Sequence, residues 1–187
     1  MRLFVAVNLP ADERRSIYQA MAPLRDLGAP VKWVAEENLH VTLRFLGEVP
    51  EEQGGPIGEA LGQAVKTVRP FDVTLGGVGA FPDLGEPRVL WVGVERHPAL
   101  ELLANDVETT LQEFGFEPEL RPFQPHLTIG RLKKDAPRHS ARGLEAPARE
   151  VTYSGMVAVE AIDLMVSRPG PGGSAYRVLR HASLDGG

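Results

Sequence analysis

Hydrophobic and polar positions along the chain change period several times. Residues 2–9, RLFVAVNL, form a continuous apolar run of β-branched character, which predicts a buried strand. The following PADERRSIYQAMAPLRDL sets Ile17, Met21, Leu24 and Leu27 at helical spacing. Two apolar segments joined by the polar EEN, in VKWVAEENLHVTLRFLG, predict a β-hairpin. A second helix is expected over 50–68, weakened by Gly54, Gly55, Gly58 and Gly62. RVLWVGVE, 88–95, then predicts a strand, and HPALELLANDVETTLQEFG a helix with Leu100, Leu103, Val107, Leu111 and Phe114 along one face and Pro98 in its first turn. FQPHLTIGRL predicts a further strand, 133–150 a polar surface loop, REVTYSGMVAVEAIDLMVSR two strands and SAYRVLRHASL one more.

Part of this pattern occurs twice. HVTL at 40–43 returns as HLTI at 126–129, an offset of 126 − 40 = 86, and Arg2 falls on Arg88 at the same offset. DVTLGGV (72–78) and EVTYSGM (150–156) are a weaker echo. The repetition predicts one two-lobed domain over 1–187, internally duplicated as approximate repeats 1–85 and 86–187 about a pseudo-two-fold axis. The fold class expected is α+β, with two mostly antiparallel sheets lining a central cleft and helices on the outer faces.

Strand alternation turns the repeat into chemistry. His40, Thr42 and Arg44 are expected on one face, with Val41, Leu43 and Phe45 toward the helices; His126 and Thr128 share a face opposite Leu127 and Ile129. Imidazoles and hydroxyls are costly to bury dry, so that face should line a solvated cleft. Facing imidazoles supply a general acid and a general base, while threonine hydroxyls and an arginine can hold a phosphoryl oxygen. A near-symmetric pair does not say which histidine is which. Arg131 falls on the Leu127 face by strict alternation, but Gly130 suggests a bulge that would turn it into the cleft. Phe123 is a stacking candidate. His97, His139 and His181 are read as capping or solvated, and Lys133, Lys134, Arg138 and Arg142 as a charged surface loop. Neither motif offers a second histidine or a carboxylate at i+2 to i+4, which argues against a metal site.

Composition narrows the class. With 187 residues, 43% of them hydrophobic, the chain can bury a sizeable core. A net charge of −5 disfavours broad coating of nucleic acid yet leaves room for one local basic pocket. The absence of cysteine suits a cytoplasmic protein, and the apolar run at the start is too short for a signal or a membrane span.

Together RLFVAVNLP, WVAEENLHVTLRFLGEV, PHLTIGR and the late SRPGPGGSAYRVL resemble the two-histidine phosphoesterases, specifically the LigT-like RNA 2′,3′-cyclic phosphodiesterases of the 2′-5′ RNA ligase family. The resemblance implies a bilobal fold and metal- and cofactor-independent opening of 2′,3′-cyclic phosphates on RNA ends or nucleosides, to a 2′-phosphate. It also implies possible joining in reverse through a 2′-5′ bond. It makes His40 and His126 the catalytic pair, Thr42 and Thr128 the phosphate holders, and Arg131 and Tyr176 further pocket residues. A self-contained cleft is expected to work as a monomer. The competing expectation is a binding module that holds an RNA end or phosphorylated nucleotide without turning it over.

Overall fold

Both faces of the first strand are apolar, and the sheet is built outward from it. The computed structural model describes residues 1–170 and 173–187, so Pro171 and Gly172 of the late Gly/Pro stretch lie outside the described residues. The elements are β1 (Arg2–Asn8), α1 (Ala11–Ala20), α2 (Ala22–Arg25), β2 (Val31–Trp33), β3 (His40–Glu48), α3 (Gly54–Val65), β4 (Phe71–Phe81) and β5 (Val89–Val94), followed by α4 (Pro98–Gln112), β6 (His126–Leu132), α5 (Glu145–Glu150), β7 (Ser154–Val159), β8 (Ala161–Gly170) and β9 (Gly173–Ser183). Leu3, Val5 and Val7 enter the main core beneath the helices, while Phe4 and Ala6 meet Met165 on the opposite, open face.

The strands pair antiparallel in the order β7-β4-β5-β6-β3-β1-β8-β9, with β2 also on β6. The two expected sheets are the halves of this one sheet, joined at a narrow β3–β6 seam whose described register consists of Val41 opposite Leu127. Each half of the sheet draws on both halves of the sequence, because β4 pairs with β5 and β8 with β1.

Several expectations change. The predicted hairpin is absent: Glu36–Asn38 form a single 3-10 turn that carries the chain onward, so β2 and β3 both run along the same edge of β6. The polar stretch 133–150 is ordered as a 3-10 helix over Arg138–Leu144 and then α5, because Ala141, Leu144 and Ala148 are buried. The 150–156 echo of β4 is strand only from Ser154, where it pairs with β4 itself. The first helix breaks at Met21, and Leu27 lies beyond it, 52% exposed.

The glycines that weakened the second helix have a packing reason. A Cβ on Gly58 would stand 2.8 Å from the Cβ of Arg180, so α3 can lie on β9 only because that position lacks one. His97 caps α4, its ring nitrogen accepting from the Ala99 amide at 3.1 Å, with Pro98 at the first turn as expected.

Candidate functional site

The site is shaped by two bulges at corresponding places. On β3, Thr42 stands opposite Ala6 and Arg44 opposite Val5, so Leu43 is an extra residue. On β6, Thr128 stands opposite Trp91 and Gly130 opposite Leu90, so Ile129 is extra. Both extra side chains are buried in the main core, where their apolar burial holds the irregularity in place.

Each bulge shifts by one position everything that follows it. Arg131 comes to stand opposite Val89 and turns to the open face, as the glycine suggested. On β3 the same shift removes Arg44 from the cleft. Paired with Val5, it points to the helix side, where its guanidinium lies 2.8 Å from Glu108 of α4 and 3.3 Å from Glu119, and donates to the Glu117 carbonyl at 2.7 Å. Phe45 takes the place expected of Arg44: opposite Phe4, it is 56% exposed on the open face and not in the core. Arg44 therefore ties the loop before β6 to β3. Arg44→Met should cost about 1–3 kcal/mol, since it strands Glu108 and the Glu117 carbonyl, and should lower activity by loosening the approach to His126. Denaturant titration and turnover on one preparation check both.

At the seam, Val41 and Leu127 face each other and point into the core. Their neighbours His40, Thr42, His126 and Thr128 therefore share the open face, and antiparallel register sets His40 toward Thr128 and Thr42 toward His126. In a regular ladder the diagonal pair would lie roughly 7–8 Å apart, room for a phosphoryl group between them.

The two rings are held in the same way. Nδ1 of His40 donates to the Asn38 carbonyl and Nδ1 of His126 to the Gln124 carbonyl, each at 2.7 Å and each two residues upstream. A carbonyl can only accept, so in the neutral rings Nε2 is the free, basic nitrogen. That of His40 accepts from the Thr42 hydroxyl at 3.0 Å. The surroundings differ. Tyr176 and Phe4 pack around His40, with ring centroids at 5.3 Å and 4.9 Å, while Phe81 meets His126 edge-on at 5.0 Å.

Burial holds His40 below the usual histidine pKa; its bond to the Asn38 carbonyl opposes this, and the positive charges of Arg131 and His126 add to the lowering. The stability linkage has a definite sign. With the folded value below the unfolded one of about 6.5, this contribution is full above that pH and is lost as pH falls from it through the folded value. Wild type should thus lose more denaturant resistance between about pH 7.5 and 5.5 than His40→Gln. Equal losses would show that His40 does not carry the effect.

His40, His126, Thr42, Thr128, Arg131 and Tyr176 are gathered at the cleft; Arg44 is not. Phe123 is half-buried against the main core. Lys32, opposite Arg131 in register, is absent from the sequence-based candidates, as are Phe4, Phe45, Phe81 and the tethers at Asn38 and Gln124. The tethers had a signal, since 124 − 38 = 86 repeats the motif offset. Lys32 and Arg131 are cross-strand neighbours, two basic side chains side by side in an acidic chain. Among the described residues no His, Asp and Glu side chains gather as a metal-ligand set, and no helix is long and apolar enough to cross a membrane.

Known proteins share this architecture. A Thermotoga maritima protein named RNA 2′,3′-cyclic phosphodiesterase is 34% identical over 100% of this chain and 97% of its own. One of the same name from Archaeoglobus fulgidus is 44% identical over 73% of this chain and 76% of its own. A crystal structure of a Thermus thermophilus protein superposes with a TM-score of 0.81 at 35% identity, covering 100% of this chain and 99% of that one. E. coli LigT complexed with 3′-AMP gives 0.76 at 30%, covering 98% and 97%. With the family model for the 2′-5′ RNA ligase superfamily matching residues 14–171, across both histidine motifs, the chain belongs to that superfamily.

Proposed function

We propose that the protein is an RNA 2′,3′-cyclic phosphodiesterase that opens the cyclic phosphates of RNA ends and nucleosides by paired-histidine acid–base catalysis, without a metal ion, leaving a 2′-phosphate. The observation that carries this reading is the pair of imidazoles tied through Nδ1 to backbone carbonyls, so that in the neutral ring each Nε2 is the basic nitrogen, on one open face. The relatives' names and the likeness to a nucleotide complex of LigT point the same way.

The phosphoryl group sits between the rings, its oxygens held by Thr42, Thr128 and Arg131. His40 is the base, because its burial and the neighbouring positive charges keep Nε2 unprotonated. It takes a proton from water as the water oxygen bonds to phosphorus. The bond from phosphorus to the ribose 3′-oxygen breaks, and His126 gives that oxygen its proton. Arg131 and the threonines stabilise the charge that builds on the five-coordinate phosphorus. With a 5′-hydroxyl in place of water, the same site would form a 2′-5′ bond. On this reading 1–85 and 86–187 are copies of one unit, each contributing strands to both sides of the seam.

Product analysis with a 2′,3′-cyclic-phosphate-ended oligonucleotide in EDTA tests the reading; a 2′-phosphate product is expected. Loss of turnover in EDTA with recovery on adding a divalent ion refutes the metal-free part, and tight binding without product favours the binding module. The acid–base assignment has its own test. Placing sulfur at the bridging 3′ position gives a leaving group that needs no proton, so this substrate should restore turnover to His126→Ala but not to His40→Ala. Rescue of the opposite variant reverses the roles.

A further inference from the structure

The carbonyl that holds Nδ1 of His40 belongs to Asn38, and that residue is itself held from two other sides. Its backbone N–H donates to the Ala35 carbonyl at 2.9 Å, closing the 3-10 turn of Glu36–Asn38. Its side-chain Nδ2 donates to the Ser174 carbonyl at 2.8 Å, from the far end of the chain. A carbonyl only accepts, so this contact also fixes which way round the amide lies. Ser174 is at the start of β9, two residues before Tyr176, whose ring stands edge-on to His40. The same stretch of β9 meets Lys32, since a Cβ on Gly173 would stand 3.2 Å from the Lys32 Cε. Segment 32–38 and the start of β9 are thus two walls beside His40, and the Asn38 amide bonds one to the other.

The second motif holds its ring by another device. Gln124, at the equivalent position, is followed by the buried Pro125, and a proline restricts the residue before it to extended backbone. Covalent geometry therefore limits the directions open to the Gln124 carbonyl. Leu39 stands where Pro125 stands and places no such restriction on Asn38. What proline does for Gln124 falls to a side chain at Asn38.

The direction of that carbonyl matters because a neutral imidazole carries one proton, and the hydrogen bond made by one nitrogen decides which of the two bears it. If the carbonyl swings away, the proton can settle on Nε2. A neutral ring protonated there has no basic nitrogen facing the substrate.

We infer that Asn38 is a positioning residue for the reaction: its side chain, clamped to the start of β9, aims its own carbonyl at His40 and so keeps the proton on Nδ1. The inference rests on the reading of His40 as the base.

The test uses Asn38→Ala, which deletes the clamp, and Asn38→Leu, which keeps the size of the side chain without the donor. On cytidine 2′,3′-cyclic phosphate, kcat should fall about three- to tenfold in both, the scale of one net hydrogen bond, with the larger part of the loss in kcat and the smaller in KM. Nitrogen-15 shifts of the His40 ring give a readout that lost stability alone would not move. In wild type Nδ1 should be the protonated nitrogen of the neutral ring; in both variants part of the folded population should carry that proton on Nε2. Wild-type kcat in either variant, or a lowered kcat with the proton still wholly on Nδ1, overturns the inference. Should wild type turn over no cyclic phosphate, the catalytic reading fails on its own. The ring shifts then judge the clamp, and a tautomer that neither substitution changes overturns it.

Discussion

His40→Ala and His126→Ala should each lower turnover of a 2′,3′-cyclic phosphate by about 10²–10⁴-fold, the scale of a positioned acid or base. The double variant should be little worse than either single one, because proton donor and acceptor act as a unit. Neither loss should come from unfolding. Burial of His40 disfavours its charged form, and His126 is half exposed, so denaturant midpoints above neutral pH should stay close to wild type. Full turnover in either variant, or a loss matched by a collapse in stability, would remove that histidine from the mechanism.

The largest effect on folding is expected at the seam. Leu127 is fully buried and, with Val41, makes the register contact that joins the two halves of the sheet, one residue from both His126 and Thr128. Leu127→Ala should cost about 2–5 kcal/mol through lost burial and the cavity left behind. It should also lower activity in the folded fraction, since the two imidazoles are set relative to each other by this pair. Leu103→Ala is the control: equally buried but on α4, it should cost similar stability with less loss of kcat. If the two behave alike in kcat, the seam does not set the geometry of the site.

Much of the fold is legible in local pattern because the forces behind it are local. The apolar run of β1, the 3.6-residue period of α4 and the proline at its start each state their own conformation. The doubled His-x-Thr motif is legible for the same reason: alternation within a strand puts the two side chains on one face whatever the strand pairs with. The expected β2–β3 hairpin fails because EEN is polar enough to be a reversing turn, whereas the choice of β6 as partner for both strands lies in residues nearly a hundred positions away.

Residue order alone establishes that histidine and threonine appear twice at equal spacing and that no thiol is present, and its local pattern marks β1, β5 and α4. Which side chains share the cleft is a matter of long-range packing. Burial of Leu43 and Ile129 introduces a bulge into each strand, and one residue of shift sends Arg131 in, Arg44 out to Glu108 and Phe45 to the open face. Packing also breaks the symmetry of the histidines. Identical local motifs carry identical tethers, but Tyr176 and Phe4, brought in from the last and first strands, surround His40 alone. Desolvation depends on neighbours distant in the chain, so the difference between the two imidazoles could be read only once the strands were assembled.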